Sequence, residues 1–280
     1  MLAILFPQID PVLFQIGPLT MKWYGVAYAV SIIISAYLLQ KFSLYRWQKF
    51  HTIPALNAKQ IDSLSIYFII SIILGGRLGF VMFYRPEWFI TRPLMVLNTL
   101  EGGMSFHGGL IGYAIALLVF AYRNKINALS LSDLICCVVP IGLFFGRCGN
   151  FINGELYGRI TAVEWGMIFP YGGNIPRHPS QLYEAATEGL LLFIILMILI
   201  FKTKLSIKRG ALTGCFMIGY AIARIAVEEY REPDLHIGLF MIRIWSNTNI
   251  NITMGQMLTI PMLIGGIALI LNAKQDDKMK

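Results

Sequence analysis

Leu190-Leu191-Leu192-Phe193-Ile194-Ile195-Leu196-Met197-Ile198-Leu199-Ile200 decides the fold class of this chain. A helix that covers a soluble core needs a polar stripe toward water, and this run has none. It sits inside a longer apolar segment, and several similar segments follow one another along the chain. A helical crossing takes about 20 residues. The candidates are 23–40, 64–83, 103–122, 133–151, 182–201, 211–229 and 255–271. Composition agrees: of 280 residues, 56% are hydrophobic and 14% charged. A soluble domain carries about 25% charged residues. The expected fold is an all-α polytopic membrane protein: seven transmembrane helices in one integral membrane domain, 1–280, with a small outer loop region at 152–181.

The net charge of +8 raises the question of nucleic acid, and its distribution answers it. If the seven segments alternate, one set of loops carries 13 of the 23 lysines and arginines, from Lys41 to Lys280. The opposite set carries seven: Lys22, Arg85, Arg92, Arg159, Arg177, Arg231 and Arg243. The positive-inside rule then puts the C-terminus in the cytoplasm and the N-terminus outside. The excess charge also suits anionic lipid headgroups. No basic patch with interleaved aromatics is present, so no nucleic-acid partner is expected. Met1-Leu2-Ala3-Ile4-Leu5-Phe6-Pro7 lacks a basic start, and its apolar run is short and broken by proline. The first helix is therefore expected to act as an uncleaved anchor. Cys136, Cys137, Cys148 and Cys215 lie in apolar segments without paired-ligand spacing, which points to packing rather than to a metal or a disulfide framework.

Against this background the polar residues stand out. Gly146-Arg147-Cys148-Gly149-Asn150-Phe151-Ile152-Asn153-Gly154-Glu155-Leu156-Tyr157-Gly158 puts an arginine, two asparagines and a glutamate at the mouth of an apolar run. Arg77 and Arg224 lie inside two others. Each such arginine costs about 2.5–3.5 kcal/mol at a helix centre. Snorkelling to the interface explains one. Three in one bundle point to a shared anion, and guanidinium groups bind phosphate through two parallel hydrogen bonds. In a membrane that phosphate belongs to a phospholipid. Arg224 and Glu228 are four apart and share a helix face, either as a structural ion pair or as part of a site. Arg231 is either a site residue or a solvated rim residue. His107, at the start of a membrane segment, exchanges protons near neutral pH; a lone histidine there is more often structural. Tyr24, Tyr84 and Tyr220 fit an interfacial aromatic belt. Gly75/Gly79, Gly108/Gly112 and Gly142/Gly146 have the spacing that lets helices approach closely.

The Gly146 stretch, extended to Arg159, has companions. Gly102-Gly103-Met104-Ser105-Phe106-His107-Gly108-Gly109-Leu110 is one, and Ile16-Gly17-Pro18 followed by Trp23-Tyr24-Gly25 is another. Then come Arg177-His178-Pro179-Ser180-Gln181-Leu182-Tyr183-Glu184, Arg224 with Glu228 and Arg231-Glu232-Pro233-Asp234, and Met254-Gly255-Gln256. In order, over essentially the whole chain, these motifs resemble the prolipoprotein diacylglyceryl transferase family of bacteria. The resemblance implies transfer of a diacylglyceryl group from phosphatidylglycerol to the lipobox cysteine of a prolipoprotein, just after its signal-peptide apolar region. A thioether forms and glycerol 1-phosphate leaves, with no cofactor. The implied setting is the bacterial inner membrane, with the site toward the outer face.

By matching motif positions, the resemblance implies that Arg147 and Arg224 hold the phosphate and His107 deprotonates the thiol. Asn150, Asn153 and Glu155 orient the glycerol headgroup and Arg147. Tyr24 and Tyr220 line the lipid cleft, Glu228 holds Arg224, and Arg231 adds to substrate binding. The chemistry agrees. A thiol with a pKa of about 8.5 needs a base or an electropositive site, and an arginine field alone could supply the latter. The loop between Gly158 and Arg177 looks shorter than in longer members, which bears on how the protein substrate is gripped. Cys148 occupies a variable slot. A phospholipid-binding transporter and a non-catalytic lipid-binding protein are the competing classes. A transporter is expected to show an internal repeat, and none is visible.

Overall fold

The computed structural model describes residues 4–17, 19–51, 54–99, 102–232, 240–245 and 248–275. Met1, Leu2, Ala3, Pro18, Pro233, Asp234, Lys278 and Lys280 lie outside the described residues. The helices in chain order are α1 (Trp23–Phe50), α2 (Ala58–Tyr84), the single turn α3 (Trp88–Thr91), α4 (Phe106–Arg123), α5 (Ala128–Cys136) and α6 (Val139–Ile152). They continue with α7 (Ser180–Glu184), α8 (Leu192–Lys202), α9 (Ala211–Glu228) and α10 (Met254–Leu271). Between α7 and α8 the helix is π-wound over Ala185–Leu191. Among the described residues six spans are long and apolar enough to cross a membrane, with α5–α6 counting as one and α7–α8 as another. The chain is a predominantly helical, polytopic membrane protein. The seventh candidate, 255–271, is helical as α10 and carries Pro261 within it.

Strands are short and were not expected. β1 (Ile4–Leu5) pairs in parallel with β4 (Met167–Ile168). β2 (Val12–Ile16) pairs antiparallel with β3 (Leu19–Lys22), and β5 (Phe240–Trp245) with β6 (Thr248–Ile252).

Helix boundaries depart from the hydropathy pattern for physical reasons. α1 runs ten residues beyond position 40, to Phe50, because lysine and arginine are good helix formers and do not stop a helix at the membrane edge. α4 begins at Phe106 rather than at 103 because Gly102 and Gly103 take positive φ, +77° and +83°. The fourth segment is broken at residues 137–138. Pro140 follows in the first turn of α6, where its missing N–H breaks no helical bond.

The backbone falls into two compact units. Unit 1 is Met1–Tyr37 with Ile135–Gln275, and unit 2 is Leu38–Leu134 with Asp276–Lys280.

In unit 2, α2 and α4 pack at backbone distance. A Cβ on Gly75 would stand 2.4 Å from the Gly108 carbonyl oxygen, and one on Gly112 would stand 2.1 Å from that of Ser71. Two of the three glycine pairs thus form the expected close crossing. The third does not: Gly142 has open space, and Gly146 meets only the Tyr28 ring, 3.5 Å from its hydroxyl.

Arg77 also belongs to this unit and is occupied. Its guanidinium donates to Val96 O (3.1 Å), Met95 O (2.7 Å), Gly102 O (2.5 Å) and Gly103 O (3.1 Å), and it is 1% exposed. It clamps residues 95–96 and 102–103 onto α2. The expected sharing of one phosphate by Arg77, Arg147 and Arg224 is corrected here, because Arg77's donors are spent on carbonyls.

In unit 1, the region expected as a simple loop at 152–181 is a small, bonded head. Isolated bridges join Gly158 to Arg231, Ile160 to Arg177 and Met167 to Arg177. Phe6 and Phe169 pack with ring centroids 5.2 Å apart, and Phe6 and Phe151 at 5.3 Å. Arg177 ties the head together. It donates to Gly172 O (3.0 Å) and Gly158 O (3.2 Å), pairs with Glu232 (3.0 Å) and lies 5.0 Å over the Tyr157 ring.

Candidate active site

The polar centre of unit 1 is assembled by three helical elements. α6 brings Arg147, α9 brings Arg224 and Glu228 with Arg231 just beyond its end, and the α7–π segment brings Glu184 and Glu188. Glu184 is fully buried and serves all three arginines. Arg147 Nε lies 2.9 Å from its Oε2, Arg224 Nη1 donates to its Oε1 at 2.7 Å, and Arg231 Nη1 donates to the same Oε1. The Arg147 pair is close but off-axis, since Oε2 accepts no aligned hydrogen bond. Glu228 takes Arg224 Nη2 at 2.8 Å and Arg231 Nε at 3.6 Å.

Glu188 is equally buried but more distant. Arg147 Nη2 stands 3.9 Å from one of its oxygens and Arg224 Nη1 stands 3.8 Å from the other. Neither oxygen accepts a hydrogen bond from the described residues. Three guanidinium groups and three carboxylates therefore balance. Charges this deep persist only when paired. The arginines keep an open side: the Arg147 side chain is 20% exposed and that of Arg224 is 14%.

The glycines around the cluster make room for it. A Cβ on Gly255 would stand 2.7 Å from Glu228 Oε1. A Cβ on Gly149 would stand 2.8 Å from Tyr24 Cδ2, so Tyr24 packs directly on the helix that carries Arg147. The Tyr24 hydroxyl meets that of Tyr28 at 3.1 Å. Tyr220 lies one turn before Arg224 on α9, stacked on Phe216 at 6.1 Å.

The loop after α6 is braced from within. Asn150 Nδ2 (2.9 Å) and Asn153 Nδ2 (3.1 Å) both donate to Glu155 Oε1. Gln181 Nε2 donates to Glu155 O at 2.6 Å, and Ser180 Oγ to Leu156 O at 3.1 Å. These bonds hold two left-handed residues, Gly154 and Leu156, at φ +66° and +56°. Among the described residues Glu155 forms no ion pair with Arg147, so its observed work is bracing the loop.

Unit 1 thus brings together Arg147, Arg224, Glu228 and Arg231. It also holds Tyr24, Tyr220, Asn150, Asn153 and Glu155. His107 belongs to unit 2. It is exposed at the second position of α4, with its ring 5.6 Å from that of Phe106. Ser105 caps that helix by accepting from Gly108 N at 3.2 Å.

Sequence reasoning missed the roles of Glu184 and Glu188. The signal was available: two carboxylates four apart inside an apolar segment are as costly as the arginines that drew attention. His178, part of the motif from Arg177 to Glu184, makes a polar contact in the head, with Nδ1 3.1 Å from the Tyr183 hydroxyl. Burial pushes its pKa below the ordinary histidine value. A glycine is required beside it, because a Cβ on Gly158 would stand 2.2 Å from Tyr230 O and 2.9 Å from His178 Cβ.

Fold and site together define a multi-pass membrane protein with a buried, charge-balanced arginine–carboxylate cluster. The comparisons with known proteins are more specific. Residues 11–272 match the family model described as prolipoprotein diacylglyceryl transferase. A phosphatidylglycerol--prolipoprotein diacylglyceryl transferase of Rickettsia akari (strain Hartford) is 49% identical over 265 residues, covering 95% of this chain and 97% of the relative. One of Sinorhizobium medicae (strain WSM419) is 46% identical over 278 residues, covering 98% and 95%. One of Allorhizobium ampelinum is 45% identical over 272 residues, covering 96% and 92%. The chain belongs to the prolipoprotein diacylglyceryl transferase family.

Proposed function

We infer that this protein is a transferase of the bacterial inner membrane. It moves the diacylglyceryl group of phosphatidylglycerol onto the lipobox cysteine of a prolipoprotein. The observation that carries this reading is identity of 45–49% to transferases of that name over nearly the full length of both partners. In the reaction the cysteine S–H loses its proton and a sulfur–carbon bond forms at the diacylglyceryl group. The carbon–oxygen bond to phosphate breaks, and glycerol 1-phosphate leaves with the electron pair.

The site has the parts this needs. Arg147 and Arg224 hold the phosphate and stabilise the charge that grows on it as the bond breaks, in surroundings poor in water. Arg231 extends the same positive edge. Glu228 holds Arg224, consistent with the 2.8 Å pair. Asn150, Asn153 and Glu155 shape the headgroup wall, while Tyr24 and Tyr220 line the lipid cleft. His107 takes the thiol proton. Seven crossings with the N-terminus outside put the cluster toward the outer face, in one domain over 1–280. The loop-charge asymmetry supports this orientation.

The test is direct. Purified protein is incubated with phosphatidylglycerol and a peptide bearing a lipobox cysteine, and the thioether is sought by mass spectrometry. Thioether with matching release of glycerol 1-phosphate is expected. Its absence where a relative works would sink the reading. Turnover by His107→Ala at the wild-type rate would remove His107 as the base and leave the arginine field to form the thiolate.

A further inference from the structure

Glu184 has no counterpart elsewhere among the described residues. One fully buried carboxylate contacts three arginines that arrive from two different helices and the turn beyond. The residues that follow it leave the α-helical path for a π-wound segment, Ala185–Leu191, in which Leu192 N bonds back to Thr187 O. An α-helix sets residues four apart about 40° around its axis. The wider π turn changes that offset, and such turns concentrate at functional sites. Glu188 lies in this turn, four residues after Glu184, and faces Arg147 Nη2 and Arg224 Nη1 at 3.9 and 3.8 Å. Those separations are too long for hydrogen bonds. Glu184 therefore fixes the guanidinium groups, and Glu188 balances their charge without bonding them.

We propose that Glu184 is the positioning residue of the phosphate site. Its carboxylate orients Arg147, Arg224 and Arg231 before lipid arrives, and the π turn holds Glu188 as a non-bonded counter-charge that leaves arginine donors for the phosphate. The proposal rests on the transferase reading above. It adds that orientation is built in before binding and is not assembled by the substrate. Preorganised donors aimed at developing charge need no rearrangement during the reaction.

The proposal separates charge from geometry. Glu184→Asp keeps the charge but cannot reach all three arginines. Glu184→Gln loses both. Glu188→Gln loses charge and has no hydrogen bond to lose. Each variant is measured in detergent micelles with phosphatidylglycerol and lipobox peptide. kcat is taken per folded molecule, and inhibition by added glycerol 1-phosphate is read alongside.

For Glu184→Asp, kcat falls at least about tenfold with product inhibition within about twofold of wild type. For Glu184→Gln, kcat falls similarly while glycerol 1-phosphate inhibits at least about threefold more tightly, because a competing anion is gone. Glu188→Gln tightens product inhibition in the same direction. A merely structural Glu184 would lower the folded yield and leave kcat per folded molecule and product inhibition alone. A fall smaller than tenfold in Glu184→Asp overturns the positioning role. Unchanged product inhibition in Glu188→Gln overturns the counter-charge role, even if neither Glu184 variant folds. Failure of the wild type to form thioether sinks the transferase reading instead.

Discussion

Arg77 and Arg147 are both arginines inside apolar helices, and the protein shelters them in opposite ways. Among the described residues Arg77 pairs with no carboxylate: four backbone carbonyls accept from it, and Phe80 and Trp88 lie 5.6 and 5.5 Å from its guanidinium. Arg147 instead faces two carboxylates, one at 2.9 Å and one at 3.9 Å. A carbonyl cage is part of the backbone and does not exchange. A carboxylate is an anion, and another anion can share or replace it. On the proposed function, the partner type separates a structural arginine from one poised for a ligand, where burial alone does not.

Substitutions can break that distinction. The largest expected effect is on turnover: Arg147→Ala lowers kcat about 10²–10³-fold, the range for loss of one donor to a developing anion. Its folded fraction, judged by thermal unfolding, stays high enough to assay. Equal loss of turnover and folding would make Arg147 structural like Arg77. Next, Arg77→Met is expected to destabilise the protein by about 3 kcal/mol or more, since several buried carbonyls lose their donor. Turnover per folded molecule then stays within twofold to threefold, as counted by active-site titration. A selective loss of turnover would put Arg77 back in the site.

Glu155→Ala should have a smaller effect than either. It removes the acceptor shared by Asn150 and Asn153, and leaving the buried Asn150 amide unpaired costs about 1–3 kcal/mol. A weaker apparent affinity for phosphatidylglycerol would accompany it; an unchanged KM would confine Glu155 to the loop's own stability. The smallest effect is expected for Cys148→Ala, with product formation within about twofold of wild type, because deleting one half-buried thiol removes little packing. A dead Cys148 variant would mean that the signature holds a reactive group beyond its arginine.

Much of this was readable before any coordinates. A run such as 190–200 has only one physical home, and the arginines declared themselves by their cost in lipid. What hydropathy could not supply was the path of the helix within a span. Pro140 hinted at the break after Cys136, but nothing in Ala185–Leu191 announces π winding. The glycine spacing was informative for Gly75 and Gly108 and misleading for Gly142, because a small residue permits close approach without requiring it. Cations in apolar segments were counted while Glu184 and Glu188 were not, so two of the cluster's three carboxylates went unseen. Arg77 looked like a site residue because sequence gives its depth but not its partners.

The crossing of α2 and α4 has one further consequence. At Gly75, Gly108 and Gly112 the two backbones stand so close that even a methyl group meets a carbonyl oxygen. A seam this tight is impermeable to a hydrocarbon tail. No acyl chain can slip between these two helices at that level, so this side of unit 2 is a wall, and lateral traffic with the bilayer must use another gap.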